Sequence, residues 1–355
     1  MYSADAMHMG PATPRVPGLR KAAFLALRLA IGIGILVYLA KSGQINLSAL
    51  IRLVHVWPIT AAAVGLLLVD ILMMSIRASL LFRNARLTLS LWNSIQLNLI
   101  GFLFSTFLPG AAGGDIAKLV YATRENHGRR AEVATVLILD RMVGLFSLVL
   151  LPLLFAPCFL GLVHSVPVLS RLLYIDALLV AAMVAGAALI MFFAPTRSLV
   201  GRLLEKWPGI RSIALRVVDA LATHGKARGS LLYALVLSLL ANLALIAVTA
   251  LGLYAVNPSS FSLRLILVAP MGHLVNSLPL TPGGIGVGES AFNALFTLTG
   301  VSGGAETLLC LRLWNCLVGL LGLLAYLLGM GRIVHPYAED VPEAEREYAG
   351  VESAD

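Results

Sequence analysis

Residues 278–289 read Leu-Pro-Leu-Thr-Pro-Gly-Gly-Ile-Gly-Val-Gly-Glu, and the rest of the chain is organised around this stretch. A looser copy at 107–115 reads Phe-Leu-Pro-Gly-Ala-Ala-Gly-Gly-Asp. Both stretches are rich in glycine and end in a carboxylate, and both lie among long apolar runs. Such segments break a helix and expose polar backbone, which a membrane tolerates only where protein or a water-filled cavity covers it. The pair therefore predicts two broken helices inside a membrane protein.

The composition supports this class. Of 355 residues, 59% are hydrophobic and 12% charged, with a mean hydropathy of +0.90. This balance excludes a soluble globular domain and predicts an all-α polytopic membrane protein. The net charge is +8, but the basic residues cluster at the ends of apolar runs. That is the positive-inside pattern and does not indicate a nucleic-acid partner. The three cysteines have no metal-ligand spacing and no nucleotide motif is visible, so we expect no metal or other cofactor.

The apolar runs predict six full spans, at 22–40, 58–80, 133–159, 172–193, 230–256 and about 307–331. The breaks lie in 91–121 and 261–300, where the pieces 115–121 and 290–300 are too short to cross alone. We therefore expect two re-entrant elements that dip into the bilayer and return. Residues 1–19 and the acidic 333–355 are predicted to be cytoplasmic tails, the first of them disordered. Within the transmembrane domain 20–332, the basic amphipathic stretch 195–229 is expected on an anionic membrane surface.

The lysine and arginine distribution along this path places both termini in the cytoplasm. The first re-entrant element then enters from the cytoplasm and the second from outside. Each is followed by a span that carries an arginine, Arg141 or Arg312. Two oppositely oriented copies meeting at the midplane form an inverted repeat, which is typical of transporters. The alternative is coincidence in sequence rich in glycine and leucine.

Ionisable side chains inside these spans indicate where a site would lie. Each costs about 2.5–3.5 kcal/mol at the bilayer centre and usually faces a cavity or a partner. They are Asp70, Asp115, Asp140, Arg141, Glu289, Glu306 and Arg312. Neighbours on a helix point about 100° apart, so Asp140 and Arg141 must each pair elsewhere. We expect Arg141 to pair with Glu289 or Asp115, and Arg312 with the other acid, across the two halves.

Two interpretations of these groups stay open. The ion pairs either fix helix packing, or the arginines hold a lipid phosphate, whose oxygens match the planar guanidinium. The glycines at 113–114 and 283–284 each precede a helix start, where free N–H groups favour an anion. Asp115 and Glu289 could instead cap those N–H groups themselves. For His273, beside the second break, we expect a packing role.

With these motifs on hand, the chain resembles a known family, the lysylphosphatidylglycerol synthase transmembrane region, also called the flippase-like domain family. The resemblance covers about residues 20–332 and rests on 109–115, the Asp140-Arg141 pair, the signature at 282–289 and the late Arg312. It implies a domain that moves an aminoacylated phospholipid between leaflets. The residues it places at the substrate are Asp115, Asp140, Arg141, Pro282, Gly283, Gly284, Glu289 and Arg312. The chain leaves no room for the soluble aminoacyltransferase domain of larger members, so we do not expect an enzyme.

The leading hypothesis is a bacterial inner-membrane protein that translocates an anionic phospholipid or lipid-linked substrate through a polar cavity at the midplane. The alternative is an accessory subunit or enzyme of lipid, hopanoid or lipid-linked glycan synthesis, although no DxD pair or Ser/His/Asp arrangement supports catalysis. A structural scaffold is third. The expected partners are membrane lipids with anionic headgroups, and a homo-oligomer or a lipid-synthesis partner is left open.

Overall fold

The computed structural model describes residues 56–107, 112–192, 196–207, 228–278, 281 and 284–328, with a few isolated positions between 208 and 227. Every regular element in these ranges is helical, which confirms the all-α polytopic class. The predicted first span at 22–40, the tails at 1–19 and 333–355, and most of the basic stretch at 195–229 lie outside the described residues.

We number the described α-helices in chain order. They are α1 Trp57–Asn84, α2 Leu91–Phe107, α3 Ala112–Glu125, α4 Arg130–Phe155, α5 Leu160–Ser165, α6 Pro167–Phe192, α7 Thr196–Leu203, α8 Arg228–Val256, α9 Leu265–Ser277, α10 Val287–Leu298 and α11 Gly304–Leu328. Short 3₁₀ turns follow α4, at Ala156–Phe159, and α8, at Pro258–Ser260.

Five of the described helical segments are long and apolar enough to cross a membrane. They are Trp57–Asn84, Arg130–Ser165, Pro167–Leu189, Gly229–Val256 and Gly304–Gly322. These confirm the five predicted spans that fall in the described ranges, with shifted ends. The helix α6 begins at Pro167 rather than at 172, because proline is well tolerated in the first turn of a helix. The predicted start at 172 excluded the polar Ser170 and Arg171 and, with them, the apolar Val168 and Leu169.

The helix α6 lies at the periphery of the described bundle. Its side chains Tyr174 and Leu178 are 72% and 60% exposed. Among the described residues, α6 therefore has an exposed apolar surface, which is compatible with contact to lipid.

Both predicted breaks separate two shorter helices. The helix α2 is followed by α3 after residues 108–111, and α9 is followed by α10 after residues 278–286. At 1.5 Å per residue, α9 and α10 are about 20 and 18 Å long, shorter than the hydrocarbon core of about 30 Å. Within each pair the two helices pack against each other. The re-entrant path through the bilayer stays a prediction.

Helices that follow α1 in the first half pack against helices that follow α8 in the second half. In the first half α2 and α3 precede α4, and in the second half α9 and α10 precede α11. The helix α2 packs against α11, α9 packs against α4, and α1 packs along α8. Exchange of partners between halves is what a twofold inverted repeat requires. The repeat itself stays a prediction, which this packing supports.

Aromatic packing holds the second broken pair rigid. Phe292 and Phe296 of α10 are fully buried in a cluster with residues of α4, α8 and α9. The ring of Phe292 lies against Gly272 of α9 so closely that a Cβ there would stand 2.7 Å from it. Close approach through a glycine fixes the α9–α10 separation, which in turn fixes the break between them.

Candidate substrate site

An arginine and an aspartate from different helices form the first ion pair of the site. Nε and Nη2 of Arg77, on α1, donate to the two carboxylate oxygens of Asp140, on α4, at 2.7 and 3.0 Å. Nη1 of Arg77 donates to the hydroxyl of Ser238, on α8, at 2.7 Å. The Arg77 side chain is 4% exposed and that of Asp140 is 12% exposed. This is a bidentate, nearly buried pair that ties three helices together.

Gly144 makes room for this pair. It lies one turn after Asp140 on α4, and a Cβ at this position would stand 3.1 Å from Nη1 of Arg77. A larger side chain would therefore press on the guanidinium that bridges Asp140 and Ser238. The small residue is explained by the packing of an arginine against the helix backbone.

The second ion pair joins the broken helix to the last described span. Nε of Arg312, on α11, donates to Oε1 of Glu289, on α10, at 2.5 Å. Nη2 of Arg312 donates to Oδ1 of Asn276, on α9, at 3.0 Å. The Glu289 side chain is completely buried, whereas that of Arg312 is 23% exposed. Arg312 with Glu289 is one of the two pairings expected from the sequence, but it lies within the second half, so the expectation that the pair would join the two halves is wrong.

The break after α9 hydrogen-bonds largely to itself. The other carboxylate oxygen of Glu289 accepts the backbone N–H of Gly286 at 2.6 Å. The N–H of Gly284 donates to the carbonyl of Thr281 at 3.0 Å, and the Thr281 hydroxyl donates to the carbonyl of Ile285 at 2.8 Å. At Gly286 the capping interpretation is therefore the correct one, because the acid in the first turn of α10 occupies the donor.

The glycines of the break serve the Asn276 amide. Gly284 has φ +70°, which glycine adopts without strain. A Cβ at Gly284 would stand 2.4 Å from Oδ1 of Asn276, and a Cβ at Gly288 would stand 2.3 Å from the same atom. The two glycines form a notch that admits Asn276, and Asn276 in turn orients Arg312. The glycine pattern in the sequence does not by itself indicate this packing against Asn276.

The two ion pairs border one cavity of about 410 Å³, a size typical of a small-molecule site. Of the residues that the structure describes, four cationic side chains and two carboxylates line it. These are Arg77, Lys118, Arg141 and Arg312, with Asp70 and Asp140. Neutral polar groups add hydrogen-bonding capacity, among them Asn242, His273, Asn276, Ser277 and Asn315. Among the described residues, cations outnumber carboxylates even with Glu289 counted behind Arg312, and this excess of positive charge favours an anionic ligand.

The charged residues that line the cavity lie far from the first residues of their helices. At 1.5 Å per residue, Asp70 is about 20 Å from the first residue of α1, Asp140 about 15 Å from that of α4, and Arg312 about 12 Å from that of α11. A span crosses a hydrocarbon core of about 30 Å. The charged lining is therefore well inside the spans rather than at their ends.

The structure brings several of the sequence-predicted residues to this cavity. Asp140, Arg141 and Arg312 line it, Glu289 holds Arg312 from behind, and Gly284 borders Asn276. Asp115 lies in the first turn of α3, and its pairing with Arg141 stays a prediction. Pro282 and Gly283 lie outside the described residues.

Sequence reasoning missed Arg77 and Lys118. Arg77 lies near the end of the predicted span 58–80, and it was counted with the basic residues that follow the positive-inside pattern there. However, α1 continues to Asn84 and Arg77 is 3% exposed. The overlooked signal is spacing, because residues seven apart share one helix face and Arg77 is seven after Asp70. Lys118 is three residues after Asp115 and shares its face of α3 in the same way.

His273 has both a packing contact and a place at the cavity. Its Nε2 lies 2.9 Å from the hydroxyl of Thr249, on α8. Its ring meets that of Phe292 edge to face with centroids 5.0 Å apart. These contacts fix the ring between α8, α9 and α10, as the packing interpretation expects.

The fold and the cavity together define a class, a polytopic all-α membrane protein with charged groups buried in its spans. The sequence model of the family described as "Lysylphosphatidylglycerol synthase TM region" matches residues 25–328. The chain belongs to this family. No curated protein and no solved structure matched the chain.

Proposed function

We propose that this chain moves an anionic phospholipid or lipid-linked substrate between the leaflets of a membrane. The observation that carries the proposal is the cavity in which the ion pairs of both halves meet, Arg77 with Asp140 and Arg312 with Glu289. A polar headgroup needs such a cavity to cross the hydrocarbon core, while its acyl chains stay in the bilayer.

The chemistry of the lining favours a phosphate. Arginine presents a planar fork that matches phosphate oxygens and keeps its charge at all working pH values. Arg312 and Arg141 both face the cavity, and Asn276 and Glu289 orient Arg312. A phosphate diester entering the cavity would share the arginines with the internal carboxylates rather than meet uncompensated charge.

The exchanged packing of the halves supports a path that opens to either leaflet. Because α2 packs on α11 and α9 packs on α4, rocking of one pair against the other changes both ends of the cavity together. Alternating access around a central site is the usual consequence of such an arrangement. We place the protein in a bacterial inner membrane with both termini in the cytoplasm, as the basic residues favour, and assign it a transporting rather than catalytic role.

Lipid movement in reconstituted vesicles tests the proposal. The purified chain is placed in vesicles that contain fluorescent phosphatidylglycerol, and dithionite quenching reports the labelled lipid in the outer leaflet. We expect protein-dependent movement that Arg141→Ala slows by about tenfold or more, the equivalent of one lost charged hydrogen bond. Arg83→Ala is the matched control, because Arg83 is exposed at the end of α1.

The outcomes separate a transporter from a scaffold. Movement in wild type and in the Arg83 variant, with loss in the Arg141 variant at unchanged folding, supports the proposal. Equal and negligible movement of every anionic lipid tried, in wild type and variants alike, overturns it. Fluorescence-detected size exclusion of each variant checks that it is folded.

A further inference from the structure

One carboxyl group of the cavity belongs to neither ion pair. Asp70 is 6% exposed, lies at the middle of α1 and lines the cavity. Within the part of the chain that the structure describes, it makes no hydrogen bond and no ion pair. A carboxylate so placed is unstable in a membrane span unless a cation or a proton accompanies it.

The nearest arginine on the same helix is engaged elsewhere. Arg77 is two turns from Asp70, yet its Nε and Nη2 donate to Asp140 and its Nη1 donates to Ser238. Its charge is therefore already balanced by one carboxylate in a bidentate arrangement. Asp70 interacts with Arg77 through the electrostatic field but forms no hydrogen bond or ion pair with it.

Lys118 of α3 is the cation that remains for Asp70. It lines the same cavity and interacts electrostatically with Asp70 and Asp140. Like Asp70, it makes no hydrogen bond or ion pair with the rest of the described chain. Asp70 and Lys118 thus line the same cavity without forming an ion pair with each other.

Within the described ranges, the other titratable or charged groups at this cavity come from three helices. They are Asp140 and Arg141 on α4, His273 on α9 and Arg312 on α11. The lining residues of α2 and α8 are not titratable, since they are Phe102, Ala241, Asn242 and Leu245. Asp140 forms an ion pair with Arg77, and the His273 ring forms a hydrogen bond with Thr249. Asp70 is therefore the group best able to change protonation when the charge of the cavity changes.

We propose that Asp70 takes up a proton when an anionic headgroup enters the cavity and releases it when the headgroup leaves. This inference rests on the proposed function. The incoming phosphate repels the Asp70 carboxylate and attracts Lys118, so the carboxylate accepts a proton and Lys118 turns to the phosphate oxygen. The proton comes from water on the side where the headgroup enters and returns to water on the other side. No other bond forms or breaks, and one anion crosses with one proton.

Linkage makes the effect reciprocal. If the anion strengthens proton binding, protonation strengthens anion binding by the same factor. Transport of an anion with a proton carries no net charge. A pH difference across the membrane should then drive the lipid toward the leaflet that faces the more alkaline side, with a leaflet ratio of about tenfold for each pH unit.

The test uses the full chain in vesicles with fluorescent phosphatidylglycerol and an imposed pH gradient of either direction. For wild type we expect the labelled lipid to accumulate in the outer leaflet when the outside is alkaline, and in the inner leaflet when it is acidic. Asp70→Asn keeps the shape of the side chain and cannot titrate, so it should equilibrate the lipid equally in both gradients. Asp176→Asn is the matched control, since Asp176 is equally buried in α6 and does not line the cavity.

A second readout does not need transport. Short-chain phosphatidylglycerol is added to the detergent-solubilised protein in weak buffer with a pH indicator, and about one proton per bound lipid should be taken up by wild type and none by Asp70→Asn. The same measurement is repeated with sulfate in place of the lipid, because sulfate is an anion that has no acyl chains and does not buffer near neutral pH. Uptake with sulfate alone assigns the linkage to a free anion and overturns the lipid as the coupled ligand.

The two proposals fail in different ways. Lipid that moves in wild type but reaches the same distribution with and without the gradient overturns the coupling and leaves the translocase intact. A gradient response that survives in Asp70→Asn also overturns it. Absence of any lipid movement overturns the translocase, and the coupling falls with it.

Discussion

Arg312 donates to the side-chain oxygen of Asn276, which is 36 residues earlier in the chain. That oxygen would touch a Cβ at either Gly284 or Gly288. The glycine-rich break therefore acts through Asn276 on an arginine of the cavity. A motif that looks like an anion cradle works here as a spacer for an amide.

Gly288→Ala should disturb Arg312 through Asn276, although Gly288 itself is not among the described residues that line the cavity. The new methyl group would stand 2.3 Å from Oδ1 of Asn276 and 2.7 Å from the Leu308 side chain, and overpacking of this kind costs about 1–3 kcal/mol. We expect slower lipid movement together with a lower unfolding midpoint in detergent. Gly65→Ala is the control, because nothing lies within 4 Å of that position on α1 and alanine is the better helix former there. Normal transport by the Gly288 variant would contradict the spacer role.

Asp140→Asn should be strongly destabilising. It removes the carboxylate that balances Arg77, which is 3% exposed, and breaking one partner of a buried pair costs about 3–5 kcal/mol. Replacing both residues, as Arg77→Met with Asp140→Leu, should recover most of the loss, because apolar pairs can substitute for buried ion pairs. Denaturant titration in mixed micelles measures both. A double variant less stable than Asp140→Asn would contradict this account.

The exposed pair of Arg129 and Glu132 provides the contrast. These side chains form an ion pair near the start of α4 and are 38% and 53% exposed. Because both side chains are exposed, solvent screens the attraction between their charges. Glu132→Gln should change the free energy of unfolding by less than about 1 kcal/mol near neutral pH. A loss as large as that of Asp140→Asn would remove the distinction between buried and exposed pairs.

Glu289→Gln should raise the affinity of the cavity for anions. The substitution removes the negative charge next to Nε of Arg312 and keeps an oxygen that can accept the N–H of Gly286. We expect more phosphatidylglycerol to remain bound after gentle extraction, as read by native mass spectrometry, and slower release during transport. Glu205→Gln serves as the control at an exposed position. Less bound lipid in the Glu289 variant than in wild type would show that the carboxylate assists binding instead.

Asn126→Ala should separate stability from transport. The Asn126 amide accepts from the N–H of Thr88 at 2.8 Å and donates to the carbonyls of Thr88 and Ala122 at 2.9 Å. Asn126 anchors the end of α3 to the turn before α2. Its loss removes these hydrogen bonds from the part-buried Thr88 backbone and the buried Ala122 carbonyl, at a cost of about 1–3 kcal/mol. A lower unfolding midpoint with normal lipid movement per folded molecule is expected. A specific loss of transport would place this turn in the mechanism.

The spans and the breaks could be predicted because hydropathy and glycine content are local properties of the sequence. The helix α8 and the predicted span at 230–256 end at the same residue, Val256. The predicted ends of the spans were less accurate. For example, α6 begins at Pro167, whereas the predicted span began at 172. The class of the protein needed no tertiary information.

Pairings could not be predicted, because they depend on which helices pack together. Asp140 could face any cation in the membrane by sequence alone, and its partner Arg77 is 63 residues away. The positive-inside pattern counted Arg77 with the basic residues at the end of its span, since it treats each charge as if it stood alone. A balanced charge can lie deeper than an isolated one, and that balance is visible only in three dimensions.

The two ion pairs close within separate parts of the chain, Arg77 with Asp140 before residue 141 and Glu289 with Arg312 after residue 288. During synthesis the first pair can therefore form before the second half has left the ribosome. Each half would enter the bilayer with one buried ion pair already closed, whereas the docking of α1 on α8, of α2 on α11 and of α9 on α4 must wait for the complete chain. Insertion and assembly become separate steps, and these four charged side chains are balanced before the halves meet.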